Sequence, residues 1–173
     1  MREMKTMMVY RLDRFGRGGH HRPFNDLGFA GIRIMEAHEN YTQQHQDIRE
    51  ENGIKYGDVI EHVNFGYAKK LTAVNAINLA SLAWAPPAPK NVAIGGIVEA
   101  AAKFKWDKVY GANGYKMYWR DTTSATWDYS RYVGDVTEFI LDGIVIDNFF
   151  FGIASIGKNG FESPVVFPNS VFR

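Results

Sequence analysis

The sequence predicts a two-domain α+β chain in which an N-terminal α/β half precedes an all-β sandwich, and three observations predict it. Trp84-Ala-Pro-Pro-Ala-Pro89 sets three prolines within four residues, which cannot continue a helix and favour an extended spacer. This divides the chain into a domain over residues 1–84, a linker over 85–89 and a domain over 90–173. Upstream of the break, apolar residues recur with a helical period over the last twenty residues; downstream the period is two. Turn signals also punctuate the second half, at Gly95-Gly96, Asn113-Gly114 and Lys158-Asn159-Gly160. At 173 residues the chain is long enough for each part to bury a core.

In chain order, residues 3–13 read as a helix, and residues 29–36 as a short strand with Ile32 and Ile34 on one face. A polar loop runs from 37 to about 61. Asn64 then reads as the N-cap of a helix reaching Trp84, with Ala68, Leu71, Leu79 and Leu82 on one face, widened by Val74 and Ile77. Such a face is expected to pack on a sheet. In the second half, residues 102–106, 115–120 and 149–155 are the clearest strands, and about seven short strands in under ~90 residues indicate a sandwich. Alternation sends Tyr115, Met117 and Trp119 inward, with Trp106 between the sheets.

The net charge of +1 is spread evenly, with no basic or acidic block that would mark a nucleic-acid or membrane-surface partner. Without cysteine, disulfides and thiolate ligands are excluded, so a metal site would use His and carboxylate. The first fifteen residues are broken by charge every few positions and read as a helix rather than a secretory signal. No run approaches the ~18 apolar residues of a transmembrane segment.

Residues 16–47 hold four of the five histidines among glycines, carboxylates and amides. Glu36, His38 and His45 can be read as three ligands at a strand end and the loop after it, although no H-E-x-x-H spacing is present. The alternative for His20, His38 and His62 is a solvated or hydrogen-bonded imidazole. Gly16-Arg-Gly-Gly19 lacks the Gly-Lys-Ser/Thr ending of a phosphate loop and reads as a turn. Asn40-Tyr41-Thr42 fits the N-glycosylation acceptor, a short pattern that matters only in a glycosylating secretory pathway.

Taken in order, Gly18-Gly19-His20-His21-Arg22-Pro23-Phe24, Gly28 through Glu36, Glu39-Asn40-Tyr41 and His45-Gln46-Asp47 resemble the C-terminal part of a zinc aminopeptidase domain. The family is that of bacterial leucyl aminopeptidases, aminopeptidase Y and carboxypeptidase Q, and the resemblance covers about residues 10–84. It implies a mixed α/β sheet flanked by helices, and two zinc ions held by two His and three carboxylates, which activate a water for hydrolysis of peptide substrates. By the resemblance His45 is the last of these ligands, and Asp47 is placed to orient its imidazole. His21 aligns with the histidine of an Asp-His pair beside the pocket, while His20 stands where the family has aspartate. Glu36 and Tyr41 either line the pocket or serve as a solvated strand-end carboxylate and a loop-packing ring. The other four ligands and the general-base glutamate belong to upstream segments, so these residues alone are expected neither to hold zinc stably nor to be active.

The second half resembles a fibronectin type III module over about residues 86–168. The resemblance rests on the proline-rich entry, Trp106, Gly114-Tyr115, Leu141 and the alternating Phe149, Phe151, Ile153 and Ser155. Phe149 stands where that family usually has tyrosine, so the corner hydrogen bond of the hydroxyl is lost. Tyr118, Trp127, Tyr129 and Tyr132 either offer a surface for protein or carbohydrate contact or pack within the sandwich. The expectation is the C-terminal fragment of a secreted or envelope zinc aminopeptidase. Its competitor is a non-catalytic binding or structural protein carrying a degenerate peptidase remnant. Residues 1–84 are expected to expose apolar faces, and the sandwich to fold by itself.

Overall fold

A computed structural model describes residues 7, 9, 18–36 and 38–172. The helix expected over residues 3–13 therefore lies outside the described residues. The chain divides into two compact units, one ending at Asn75 and the other beginning at Ala76. Among the described residues no helix is long and apolar enough to cross a membrane.

The first unit opens with α1 (Arg22–Asp26), whose Pro23 suits a first turn where an amide N–H has no intrahelical acceptor. The strand expected over 29–36 does not form: among the described residues these have no ladder partner, and Ile32 is 68% exposed. Alternation supplies a face but not a neighbour, and a strand exists only through pairing. Conversely, the stretch read as one polar loop contains an antiparallel hairpin of β1 (Arg49–Glu51) and β2 (Ile54–Tyr56). Its turn is Asn52-Gly53, with φ of 53° and 77°, the left-handed pair of a type I′ hairpin turn. Arg-Glu-Glu carries no apolar alternation, so the period gave no sign of it. The mixed sheet implied by the resemblance is thus absent among the described residues of this unit, which pair only as this hairpin.

Asn64 caps α2 (Phe65–Trp84) as predicted, its Oδ1 accepting the Tyr67 N–H at 3.0 Å. The helix buries no residue, and Ile77, Leu79 and Leu82 are more than half exposed. Among the described residues the expected packing of its apolar face on a sheet is therefore not formed, although Ala68, Leu71 and Val74 are half-buried.

In the second unit seven strands make two sheets. They are β3 (Ala93–Gly95), β4 (Ala101–Lys105), β5 (Gly114–Asp121), β6 (Tyr129–Gly134), β7 (Glu138–Asp142), β8 (Phe149–Ile156) and β9 (Ser170–Val171). The sheet orders are β7-β4-β3-β9 and β6-β5-β8, antiparallel except for the β3–β9 pair. Inward residues of β5 and β8, among them Tyr115, Met117, Phe151 and Ile153, meet Ala102, Phe104 and Leu141 in one buried core. Trp119 is partly buried against it, so the predicted inward face is observed. Trp106 is buried edge-on to Tyr115 at 5.3 Å, and the Tyr115 hydroxyl accepts the Val109 N–H at 2.7 Å.

The proline-rich stretch is tied to this sandwich. The Ser155 hydroxyl donates to the Pro87 carbonyl at 2.6 Å, the Asp107 N–H donates to the Lys90 carbonyl, and the Trp84 ring lies 5.2 Å from Phe161. On the outer face of β8, a Cβ at Gly152 would come 2.4 Å from Val165, so only glycine lets that segment cross.

Across this outer face Glu162 accepts hydrogen bonds from the Lys116 ammonium, at 3.0 Å, and from the Tyr118 hydroxyl. The bond to Glu162 raises Lys116 above its ordinary 10.5, and burial followed by the same carboxylate raises Tyr118 above its ordinary 10.0. Both folded values exceed the unfolded ones, so their contribution is complete below those ordinary values and is lost as pH rises through the folded ones. The melting temperature of the sandwich is expected to fall above about pH 10, and Glu162→Gln to flatten that decline; a melting curve with no such dependence would contradict the assignment.

Tyr115→Phe leaves the buried Val109 N–H without its acceptor and is expected to cost about 1–3 kcal/mol in denaturant unfolding. Limited proteolysis is expected to leave the sandwich intact after residues 18–84 are cut, and the reverse order of cleavage would contradict an independently folding sandwich.

Candidate functional site

The loop of residues 38–48 is built by local polar contacts. Asn40 Oδ1 accepts the Thr42 N–H at 3.1 Å and the Thr42 hydroxyl at 2.8 Å, an Asx turn that starts the loop. The Thr42 carbonyl then accepts the Gly57 N–H at 3.0 Å, and Asp58 Oδ2 accepts the His45 N–H at 3.0 Å. These two bonds fasten the loop to the strand end after the hairpin. They hold His45 at φ 54°, a left-handed conformation uncommon outside glycine, with the residue exposed.

The hairpin supports the same loop. The Arg49 guanidinium sits 4.0 Å above the Tyr56 ring, donates to Gln46 Oε1 at 2.9 Å and pairs with Glu51 at 2.9 Å. Tyr41 meets Tyr56 edge-on at 6.3 Å, and the nearby Tyr41 side chain is the main cause that raises the Tyr56 pKa.

The residues singled out by sequence fall in different places. His21 and His20 line an open depression with Phe24, Phe29 and Ile32. A Cβ on Gly19 would meet the His21 ring at 2.7 Å, so the glycine there permits this close crossing. Glu36 lines a second, more polar depression with Arg33, Glu39, Asn40 and Asp58. Tyr41 packs on the hairpin yet remains 65% exposed. Asp47 is exposed, its carbonyl receives the Arg49 guanidinium at 3.4 Å, and no hydrogen bond joins its carboxylate to His45 among the described residues.

Among the described residues no three His, Asp or Glu side chains converge on a point that a metal could occupy. The arrangement of Glu36, His38 and His45 as one mononuclear site is therefore not formed, and these residues do not by themselves fit a zinc ion, which takes three or four such ligands. What they supply is an exposed imidazole on a fastened loop. Sequence reasoning missed Asp58 and Tyr56, which fix that loop. The Asn52-Gly53 pair was the signal for the hairpin, whereas nothing local marks Asp58 as the partner of a residue so far before it.

On the sandwich, Trp127 is half-buried, with Tyr118 at 5.8 Å, Phe167 at 5.4 Å and the Arg120 guanidinium at 5.7 Å. It packs, as Tyr118 does. Tyr129 and Tyr132 are more than half exposed, although Tyr129 also stacks on Trp119 at 5.4 Å.

No protein-family model matches the chain. Among solved structures it is similar to an Fn3-like protein from Clostridium thermocellum, with a TM-score of 0.41 and 17% identity over 47% of this chain and 85% of that one. It is also similar to an FN3 domain of human collagen XX, with a TM-score of 0.38 and 15% identity over 47% of this chain and 90% of that one. Among curated proteins it is 41% identical to a "Probable zinc metalloprotease" of Pyrenophora tritici-repentis, over 96% of this chain and 39% of that protein. A protein of the same name from Phaeosphaeria nodorum is 41% identical over 96% of this chain and 34% of its own length. One from Pyricularia oryzae is 39% identical over 96% and 34%. Over nearly its whole length, then, the chain is homologous to proteins named probable zinc metalloprotease, and it spans between 34% and 39% of these three.

Proposed function

We propose that this chain is the C-terminal portion of a secreted or envelope zinc-dependent exopeptidase that removes N-terminal residues from peptides. In this reading residues 16–47 form one wall of a two-zinc site, with His45 as one ligand and His21, Glu36, Tyr41 and Asp47 as its neighbours. The sandwich is an accessory module of fibronectin type III type. The observation that carries the reading is the 41% identity, over 96% of this chain, to a protein named probable zinc metalloprotease of which it spans 39%. Three features support it further. The motifs of residues 18–47 follow the order of the aminopeptidase domain that they resemble. His45 sits on a loop fastened by Asp58 and Gly57. Leu27, Phe29 and Ile32 are each more than 60% exposed, as suits a surface that further polypeptide covers.

The second reading is a non-catalytic protein with a peptidase remnant, and the observation that favours it is the lack of any three converging ligands among the described residues. The presence of His20 in place of the family's aspartate agrees with it.

The two readings separate in a chimera in which this chain replaces the matching segment of the Pyrenophora tritici-repentis protein. The chimera is expected to retain zinc and to hydrolyse an aminoacyl-nitroanilide, and His45→Ala to weaken zinc retention by at least ~10-fold. Zinc content unchanged by His45→Ala would remove His45 from the site, and a folded chimera without zinc or activity would favour the remnant. This chain alone is expected to show no aminopeptidase activity, and robust zinc-dependent hydrolysis by it would contradict the proposal.

A further inference from the structure

We propose that Asn40 is an N-glycan acceptor. Asn40-Tyr41-Thr42 is the one Asn-X-Ser/Thr sequence of the chain, and it lies in an exposed turn. The carboxamide is arranged for such a transfer. Its Oδ1 accepts both the N–H and the hydroxyl of Thr42, at 3.1 and 2.8 Å, which orients the amide and couples it to the hydroxyl that the sequence pattern requires. Nδ2 donates no hydrogen bond among the described residues, so both of its N–H groups are available. Asn40 itself is exposed, as is Tyr41 after it, and no helix or strand runs through the turn. Other asparagines in this unit are occupied differently: Asn64 caps α2, and Asn52 forms the hairpin turn.

The donor is an oligosaccharide carried on a lipid pyrophosphate. Asn40 Nδ2 forms a bond to C1 of the first sugar while the bond from C1 to the pyrophosphate oxygen breaks. The bonding pair leaves on the lipid pyrophosphate, and the amide nitrogen loses one proton. The product is a secondary amide that keeps Oδ1 as an acceptor, so the Thr42 bonds survive the modification. The glycan would stand on the same loop as His45, beside the depression lined by Glu36.

The inference about the acceptor stands apart from the peptidase reading; only its occurrence in the producing organism rests on the export included there. The test therefore supplies the export. The full chain, behind a heterologous secretion leader, is translated with microsomes that carry the glycosylation machinery, and the protease-protected product is mapped by peptide mass spectrometry. A single glycan at Asn40, removed by peptide N-glycosidase, is expected. Asn40→Gln and Thr42→Ala are expected to abolish it, and Thr42→Ser, which keeps the hydroxyl, to retain it. Protected chain with an unmodified Asn40, or a glycan that persists in Asn40→Gln, would overturn the proposal. Neither outcome bears on zinc or peptidase activity.

Discussion

In the second unit the N–H and C=O groups of each strand meet those of a neighbour, and side-chain alternation then has two facing sheets between which to bury its apolar half. The sandwich rests on that pairing. Backbone polar groups removed from water need partners, and a strand without a neighbour cannot supply them from within itself. Residues 29–36 show the converse. They carry an apolar alternation as good as that of many strands, yet with no neighbour among the described residues they remain irregular and Ile32 stays in water.

The same constraint explains what could be read from the sequence. The inward positions of Tyr115 and Met117 were legible because period-two alternation carries its own face assignment, and Trp106 because a large ring near the end of a strand has few other places to go. The cap at Asn64 was legible because a cap is a contact between residues three apart. The strand expected at 29–36 does not form because pairing is not a local property. The hairpin of Arg49–Glu51 and Ile54–Tyr56 leaves no periodic trace because it is held by a left-handed turn and a guanidinium above an aromatic ring rather than by apolar alternation.

At the candidate site the histidine itself was legible and its support was not. His45 stands out by residue type and by the motifs around it, whereas Asp58 looks like any loop carboxylate until folding brings it to the His45 N–H. The arrangement has a physical logic: a histidine in a left-handed conformation carries a small local strain, which persists only where surrounding contacts over-determine it. Here Asp58, Gly57 and the Asx turn at Asn40 do so. Leu27, Phe29 and Ile32 of the same unit stay in water, and α2 buries none of its residues.

On the proposed function, His45 is a zinc ligand of a longer exopeptidase. The most direct measurement is a crystal structure of the longer protein, as isolated with its metal, with zinc located from anomalous scattering. An imidazole nitrogen of His45 is expected at about 2.0–2.1 Å from a zinc ion. A fully loaded zinc site with His45 turned away from it would exclude His45 as a ligand.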